Sequence, residues 1–119
     1  MENNNRRVVI TGMGIWSCLG TTLDEVKESL FNGKSGIIFS PERKEMGFES
    51  GLTASVKKPE LKGLVDRAHR VFMPEEAQYA YMSTVDALKM AKLDEDYIEK
   101  HDIGLLFGND SSADAVVKS

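Results

Sequence analysis

Apolar and polar positions divide the chain into short apolar runs and longer periodic segments. Residues 7–12 are rich in β-branched side chains, and residues 103–108 form a second apolar run. Runs of this length are typical of strands buried on both faces, as in parallel sheets covered by helices. The pattern therefore predicts strands over 7–12 and 103–108, with a weaker strand over 52–56 inside a segment, 35–59, otherwise interpreted as loop.

The first periodic segment predicts a helix that begins after Thr22. Thr22 is a suitable N-cap, and Glu25, three residues later, is its partner in a capping box. Leucine and valine then recur at helical spacing. Gly33 is the natural end of this helix, because glycine readily adopts the left-handed conformation that often follows a helix.

A second helix is predicted over residues 75–92. Pro74 suits its first turn, acidic residues follow, and lysines lie near its end, which complements the helix dipole. Two stripes run along it, bulkier residues at Ala77, Tyr81, Val85 and Leu88 and small residues at Ala80, Thr84, Ala87 and Ala91. The small stripe allows close packing against a sheet or another helix.

The order strand, helix, strand, helix, strand predicts an α/β fold with a parallel sheet and right-handed crossovers. Three short strands would leave open edges and bare faces. Residues 109–112 are typical of a turn and helix cap, and residues 113–117 of a helix that has begun when the sequence ends at Ser119. We therefore expect residues 1–119 to be one part of a larger α/β protein.

Composition narrows the class of protein. The 119 residues are 41% hydrophobic and 29% charged with a net charge of -4, which excludes collagen-like, coiled-coil and disulfide-rich proteins. Cys18 is the only cysteine, and the polar start has no secretory core, so a reducing cytoplasm is expected. No run approaches the roughly 18 apolar residues of a membrane span, and the acidic balance argues against a general nucleic-acid binder.

Two glycine motifs resemble phosphate-binding loops. In residues 11–20 the third glycine of a dinucleotide-binding turn would be needed at Ser17, and the helix opens too late, so glycines that serve a tight turn are the preferred interpretation. Gly33 and Lys34 imitate the end of a P-loop but follow a helix instead of opening one. No cofactor is therefore expected.

The sequence also gives no evidence for a catalytic nucleophile or a metal site. Cys18 has no base nearby in sequence, and a buried, inert thiol is expected. His69 and His101 lie among charged neighbours without metal-ligand spacing, so surface positions are expected for both and no metal site is predicted.

The charge distribution is more informative. Residues 57–70 have a local balance of +3 in an acidic chain. The basic residues are Lys57, Lys58, Lys62, Arg67 and Arg70, and the acidic ones are Glu60 and Asp66. Such a patch could steer an acidic protein partner, but from charge alone a solvated loop that happens to be basic is the preferred interpretation.

An ordered set of short motifs gives the chain a family resemblance. The motifs are RVVITGMGI (7–15), LG (19–20), NGKSGI (32–37), FSPE (39–42), GLVDR (63–67), FM (72–73) and IGLLFG (103–108). In this order they resemble the N-terminal part of β-ketoacyl-[acyl-carrier-protein] synthases of the synthase I and II subgroup.

The resemblance implies a thiolase-like fold, of which this chain would be the N-terminal part, with an incomplete layered parallel or mixed sheet and flanking helices. It also implies a homodimeric acyltransferase of fatty-acid or related polyketide synthesis, acting on acyl and malonyl thioesters. A cysteine takes the acyl group, and two histidines assist decarboxylative Claisen condensation. In family order these residues follow Ser119, so none is expected here, Cys18 is not the nucleophile, and the chain alone should be inactive.

One role carries over by resemblance. In related synthases the stretch matching residues 66–73 offers basic side chains to the acidic acyl-carrier protein. Arg67 matches and Arg70 lies one position off, while Ala68 and Val71 stand where bacterial fatty-acid synthases commonly have basic residues. Arg67 and Arg70 are therefore the expected docking residues. A non-catalytic module of the same fold that binds a carrier protein is the alternative function.

Overall fold

The computed structural model describes residues 7–109. In chain order the elements are α1 (Leu23–Phe31), β1 (Ile37–Phe39), α2 (Pro41–Glu45), β2 (Leu52–Ala54), α3 (Arg67–Phe72), α4 (Glu75–Ala91) and α5 (Glu95–Lys100). The described part of the chain thus combines helices and strands, with helices dominating. The helix predicted over 113–117 lies outside the described residues.

The strands of this part of the chain form a small antiparallel pair, not the predicted parallel sheet. Ile37 pairs with Ala54 and Phe39 with Leu52, and the pairing extends to Ser40, whose amide donates to the carbonyl of Gly51 over 2.7 Å. β2 confirms part of the weak strand predicted over 52–56. β1 and α2 lie in the segment interpreted as loop, so that interpretation was wrong there.

The strands predicted over 7–12 and 103–108 do not form among residues 7–109. Both segments are exposed, to 95% at Val8 and 98% at Leu106. A strand requires a neighbour that supplies hydrogen bonds along its length, and neither segment has one in this part of the chain. Apolar, β-branched sequence supplies the preference for a strand but not the partner.

α1 forms with the predicted signals at both ends. Its N-cap Thr22 accepts a hydrogen bond at its hydroxyl from the amide of Glu25 over 3.2 Å. Gly33 follows the helix with φ 61°, and its amide and that of Lys34 donate to the carbonyls of Leu30 and Ser29. This pair of reversed bonds is a Schellman motif, which satisfies carbonyls at the end of the helix.

α4 confirms the second predicted helix almost to the residue. Pro74 is its N-cap instead of part of its first turn. At the other end Lys92 adopts the left-handed conformation with φ 57°, and the amide of Leu93 donates to the carbonyl of Leu88 over 3.0 Å. The same Schellman geometry therefore ends α4, with a lysine in the position that usually favours glycine.

Two glycines bring the segment before α1 directly onto α4. A Cβ built on Gly12 would lie 2.9 Å from the amide nitrogen of Ala91 and closer still to the carbonyl oxygen of Ala87. A Cβ on Gly14 would overlap the backbone of Ser83. The small stripe packs closely at Ala87 and Ala91, but against a segment without regular structure and not against the predicted sheet or helix, and these two glycines serve the contact with α4, not a tight turn.

Few residues are buried in the described part of the chain. Val26, Leu61 and Pro59 are buried, and Ser29 is the buried polar residue of residues 7–109. The hydroxyl of Ser29 donates to the carbonyl of Leu19 over 2.8 Å and so links α1 to the turn before it. Among residues 7–109, no helix combines the length and apolar character that crossing a membrane requires.

Candidate functional site

The basic segment contains a short helix, α3, that sequence patterns did not predict. Its N-cap is Asp66, whose carboxylate accepts a hydrogen bond from the amide of His69 over 3.1 Å and pairs with Nδ1 of the same residue. The bond to the His69 ring, and then the bond to its amide, lower the pKa of the Asp66 carboxyl. The negative charge nearest to Arg67 in sequence is therefore engaged with α3 itself.

Arg67 and Arg70 both lie on α3, one turn apart, so the structure brings the two predicted docking residues onto one helix. Arg67 is exposed, and no carboxylate among residues 7–109 forms an ion pair with it. Arg70 is half-buried, and its Nε is enclosed without a hydrogen-bond partner. Arg67 thus offers the more accessible charge.

The turn before α3 rests on a buried leucine. Leu61 is only 5% exposed, and its carbonyl accepts hydrogen bonds from the amides of Leu64 and Val65, each over 3.1 Å. Gly63 occupies the turn with φ 89°, which favours glycine. The exposed side chain of Lys62 is therefore presented close to the start of α3 from an anchored turn.

The other end of the basic segment is attached elsewhere. The indole Nε1 of Trp16 donates to the carbonyl of Lys57 over 2.5 Å. Hydrogen bonds from the amide and hydroxyl of Thr21 lower the pKa of the Glu25 carboxyl, and the charge of Lys57 adds a smaller effect in the same direction. The two ends of the basic segment therefore lie at different elements. Lys57 lies near the start of α1, and Arg67 and Arg70 lie on α3.

The glycine motifs do not form phosphate sites. Ser17 and Gly20 exchange backbone hydrogen bonds in a tight turn, and a Cβ on Gly12 or Gly14 would meet the backbone of α4, so these glycines serve the turn and the packing on α4. Lys34 is exposed at the C-terminal end of α1, where its Nζ pairs with the carboxylate of Glu28 over 3.3 Å. The interpretation of this lysine as a solvated charge is confirmed.

Cys18 and the two histidines occupy separate places. Cys18 is half-buried, less than expected, and its Sγ lies against Gly36, where an added Cβ would come within 2.5 Å. His69 is exposed beside Asp66, and His101 is exposed with its ring stacked on Tyr97 at 4.0 Å, as the surface prediction requires. Within residues 7–109, no group of three or more histidine, cysteine or acidic side chains is arranged to hold a metal ion.

Comparison with known proteins decides the family. Residues 5–118 match the family described as "Beta-ketoacyl synthase, N-terminal domain". The chain belongs to the β-ketoacyl synthase family. The resemblance inferred from the ordered motifs is thereby confirmed over nearly the whole chain.

Individual synthases show the same relationship. The chain is 40% identical over 105 residues to 3-oxoacyl-[acyl-carrier-protein] synthase 1 of Escherichia coli strain K12, covering 87% of this chain and 26% of that protein. The Haemophilus influenzae synthase 1 is 41% identical over 103 residues, covering 87% and 25%. A Buchnera aphidicola synthase 1, from the subspecies of Acyrthosiphon pisum, is 37% identical over 108 residues, covering 90% and 26%. The chain spans about a quarter of the length of these curated relatives.

Sequence reasoning found the charge of this site but missed its helix. Two local signals were missed. Asp66, three residues before His69, is a favourable N-cap residue, and Pro74 lies just beyond the end of α3, where proline stops a helix. The split of the basic segment at Lys57 has no comparable signal, because it depends on a hydrogen bond to Trp16, 41 residues away.

Proposed function

We propose that the chain is the N-terminal part of a β-ketoacyl-[acyl-carrier-protein] synthase of fatty-acid or related polyketide synthesis. The family match over residues 5–118 carries this assignment, and the relatives named 3-oxoacyl-[acyl-carrier-protein] synthase 1 support its reaction class. Because the chain spans about a quarter of the length of those relatives, we assign the activity to the whole protein and not to this chain. We further propose that the whole protein is a homodimer and acts in the cytoplasm.

In the whole protein, residues 7–12 and 103–108 would join a layered, thiolase-like sheet. Two observations support this proposal. Gly12 packs against the small stripe of α4, and Leu105 and Phe107 share an apolar groove with the same helix. These contacts support α4 as a helix that would cover one face of such a sheet, and both segments also expose apolar residues that further elements could cover.

The proposed reaction has two balanced stages. A cysteine thiolate displaces the carrier thiol from an acyl thioester, and a malonyl thioester then loses CO₂ to give an enolate. The enolate attacks the acyl carbonyl, which releases the cysteine thiolate and forms a β-ketoacyl thioester, with histidines stabilising the oxyanions. We place these three catalytic residues after Ser119 and propose that the 119-residue chain is inactive alone.

The role proposed for this part of the synthase is to dock the carrier protein. Arg67 is exposed and lacks an ion-pair partner among residues 7–109, and Arg70 lies one turn away. An uncompensated cationic face raises the association rate of an anionic partner and helps to orient it. The docking face would thus deliver the thioester to a catalytic centre built by the remainder of the protein.

The assignment is tested on the full-length protein. Continuation of the reading frame past Ser119 should encode a nucleophilic cysteine and two later histidines. The purified full-length enzyme should release CO₂ from malonyl-carrier protein and form the β-ketoacyl product, whereas the 119-residue chain should do neither. A full-length protein that binds acyl-carrier protein but lacks these residues and this activity would instead support the alternative, a non-catalytic interaction module.

The docking role is tested by titrating the full-length protein with acyl-carrier protein at several ionic strengths. Arg67→Ala should weaken binding and reduce its salt dependence. Asp66→Asn should strengthen binding, because asparagine caps a helix as well as aspartate does while one negative charge is removed. Lys27→Ala, at an exposed position on α1, is the matched control and should leave affinity unchanged. Equal affinities for all four proteins would remove α3 from the docking face.

A further inference from the structure

α3 presents an apolar side chain beside its accessible arginine. Arg67 and Val71 are four residues apart on this helix, so they lie next to each other on one face. Val71 is 69% exposed, and Arg67 is exposed as well. The two residues therefore form a mixed basic and apolar patch, called here the Arg67–Val71 patch.

The guanidinium of Arg67 forms no ion pair in the described part of the chain. The carboxylate of Asp66 is engaged with the amide and ring of His69, and none of the ion pairs among residues 7–109 involves Arg67. A partner that complements the patch must bring a carboxylate to the guanidinium. On an acidic surface of this kind, a side chain next to that carboxylate would meet Val71.

Val71 differs from those strongly exposed apolar residues that lie outside the helices. Val8 and Leu106 belong to segments that pack on α4 and have no regular structure. Val71 is fixed within a helix whose start is capped by Asp66 and whose preceding turn is anchored by buried Leu61. Its position relative to Arg67 is therefore set before any partner arrives, which lowers the ordering cost of docking.

We propose that Val71 is a specificity-determining contact of the docking face, which buries an apolar side chain of the acidic carrier protein beside the carboxylate that pairs with Arg67. This inference rests on the proposed carrier-docking function. The occupant is an acidic protein surface with an apolar residue adjacent to its docking carboxylate. Such a contact adds affinity that does not depend on ionic strength, because burial of apolar area is not screened by salt.

The test measures the affinity of full-length synthase for acyl-carrier protein over a range of ionic strength. Val71→Ser should raise Kd by roughly fivefold at every salt concentration, with the salt slope unchanged, as expected for partial burial of a valine. Val71→Leu should retain the affinity. Met46→Ser, at a comparably exposed position (66%) at the end of α2, is the matched control and should have no effect.

The outcomes separate this inference from the docking function on which it depends. If Arg67→Ala weakens binding while Val71→Ser does not, the contact is wrong and carrier docking at α3 stands. If neither substitution changes affinity, the docking function itself fails. A lower unfolding temperature for Val71→Ser, with affinity unchanged, would show that Val71 is covered by the rest of the synthase and would also overturn the inference.

Discussion

The hydroxyl of Ser29 donates a hydrogen bond to the carbonyl of Leu19 over 2.8 Å. Ser29 is one of the few buried residues of the described chain, and Leu19 lies in the tight turn closed by Ser17 and Gly20. This single bond thus connects α1 to the segment that leads back to α4. Because a carbonyl shielded from water is costly to leave without a partner, this half-buried bond helps to hold the turn against the helix.

Ser29→Ala is expected to destabilise the chain by about 1 kcal/mol, since the carbonyl of half-buried Leu19 would lose its partner. Chemical denaturation of the 119-residue chain, followed by circular dichroism, measures the change. Ser55→Ala is the control, because Ser55 is exposed and its hydroxyl forms no hydrogen bond with residues 7–109. Equal losses for the two variants would show that the buried bond has no special role.

Gly12→Ala is expected to lower stability by roughly 1–3 kcal/mol, the cost of forcing extra volume into a packed contact. The added methyl group would meet the backbone of α4 at Ala87 and Ala91, which cannot rotate away as a side chain would. Gly104→Ala is the matched substitution, because a Cβ there meets nothing within 4 Å. The unfolding temperature of Gly12→Ala should lie well below that of Gly104→Ala, and the reverse order would contradict the packing of Gly12 on α4.

Lys92→Gly is expected to stabilise the protein by about 1 kcal/mol, because Lys92 holds a left-handed conformation that costs a residue with a Cβ but not glycine. The same substitution one turn earlier, Lys89→Gly, should destabilise by a similar amount, since it places glycine inside α4. Thermal unfolding of the two variants should therefore give shifts of opposite sign. Shifts of the same sign would contradict the left-handed end of α4.

Acid should weaken the start of α1. Hydrogen bonds from Thr21 lower the pKa of Glu25 below its ordinary 4.5, so its contribution to stability is complete above that value and is lost as the pH falls through the lowered pKa. Glu25→Gln should reduce this acid sensitivity in melting curves recorded on either side of pH 4.5. Glu28→Gln, which removes another carboxylate of α1, should leave the acid dependence largely intact.

The helices α1 and α4 could be predicted from sequence because their signals are local. Thr22, Glu25 and Gly33 act within a few residues of the helix ends that they define. The apolar runs at 7–12 and 103–108 carried the same kind of preference for strands, yet a strand also depends on a neighbour brought from elsewhere in the chain. The pairing of β1 with β2 was missed for the corresponding reason, since its partners are more than ten residues apart.

The site could be predicted to a similar extent. Clustered charge identified the basic segment 57–70, because charge is visible in the sequence itself, and the family resemblance singled out Arg67 and Arg70 within it. The contact between Asp66 and His69, and the different accessibility of the two arginines, arise from how α3 is capped and packed. Those features decide which charge a partner meets first.

The indole of Trp16 gives the chain an intrinsic optical reporter. Trp16 is the only tryptophan of the 119 residues, and its Nε1 is bonded to the carbonyl of Lys57 at the beginning of the basic segment. Indole emission depends on the polarity and hydrogen bonding around the ring. Detachment of the basic segment therefore registers as a spectral change, without any label.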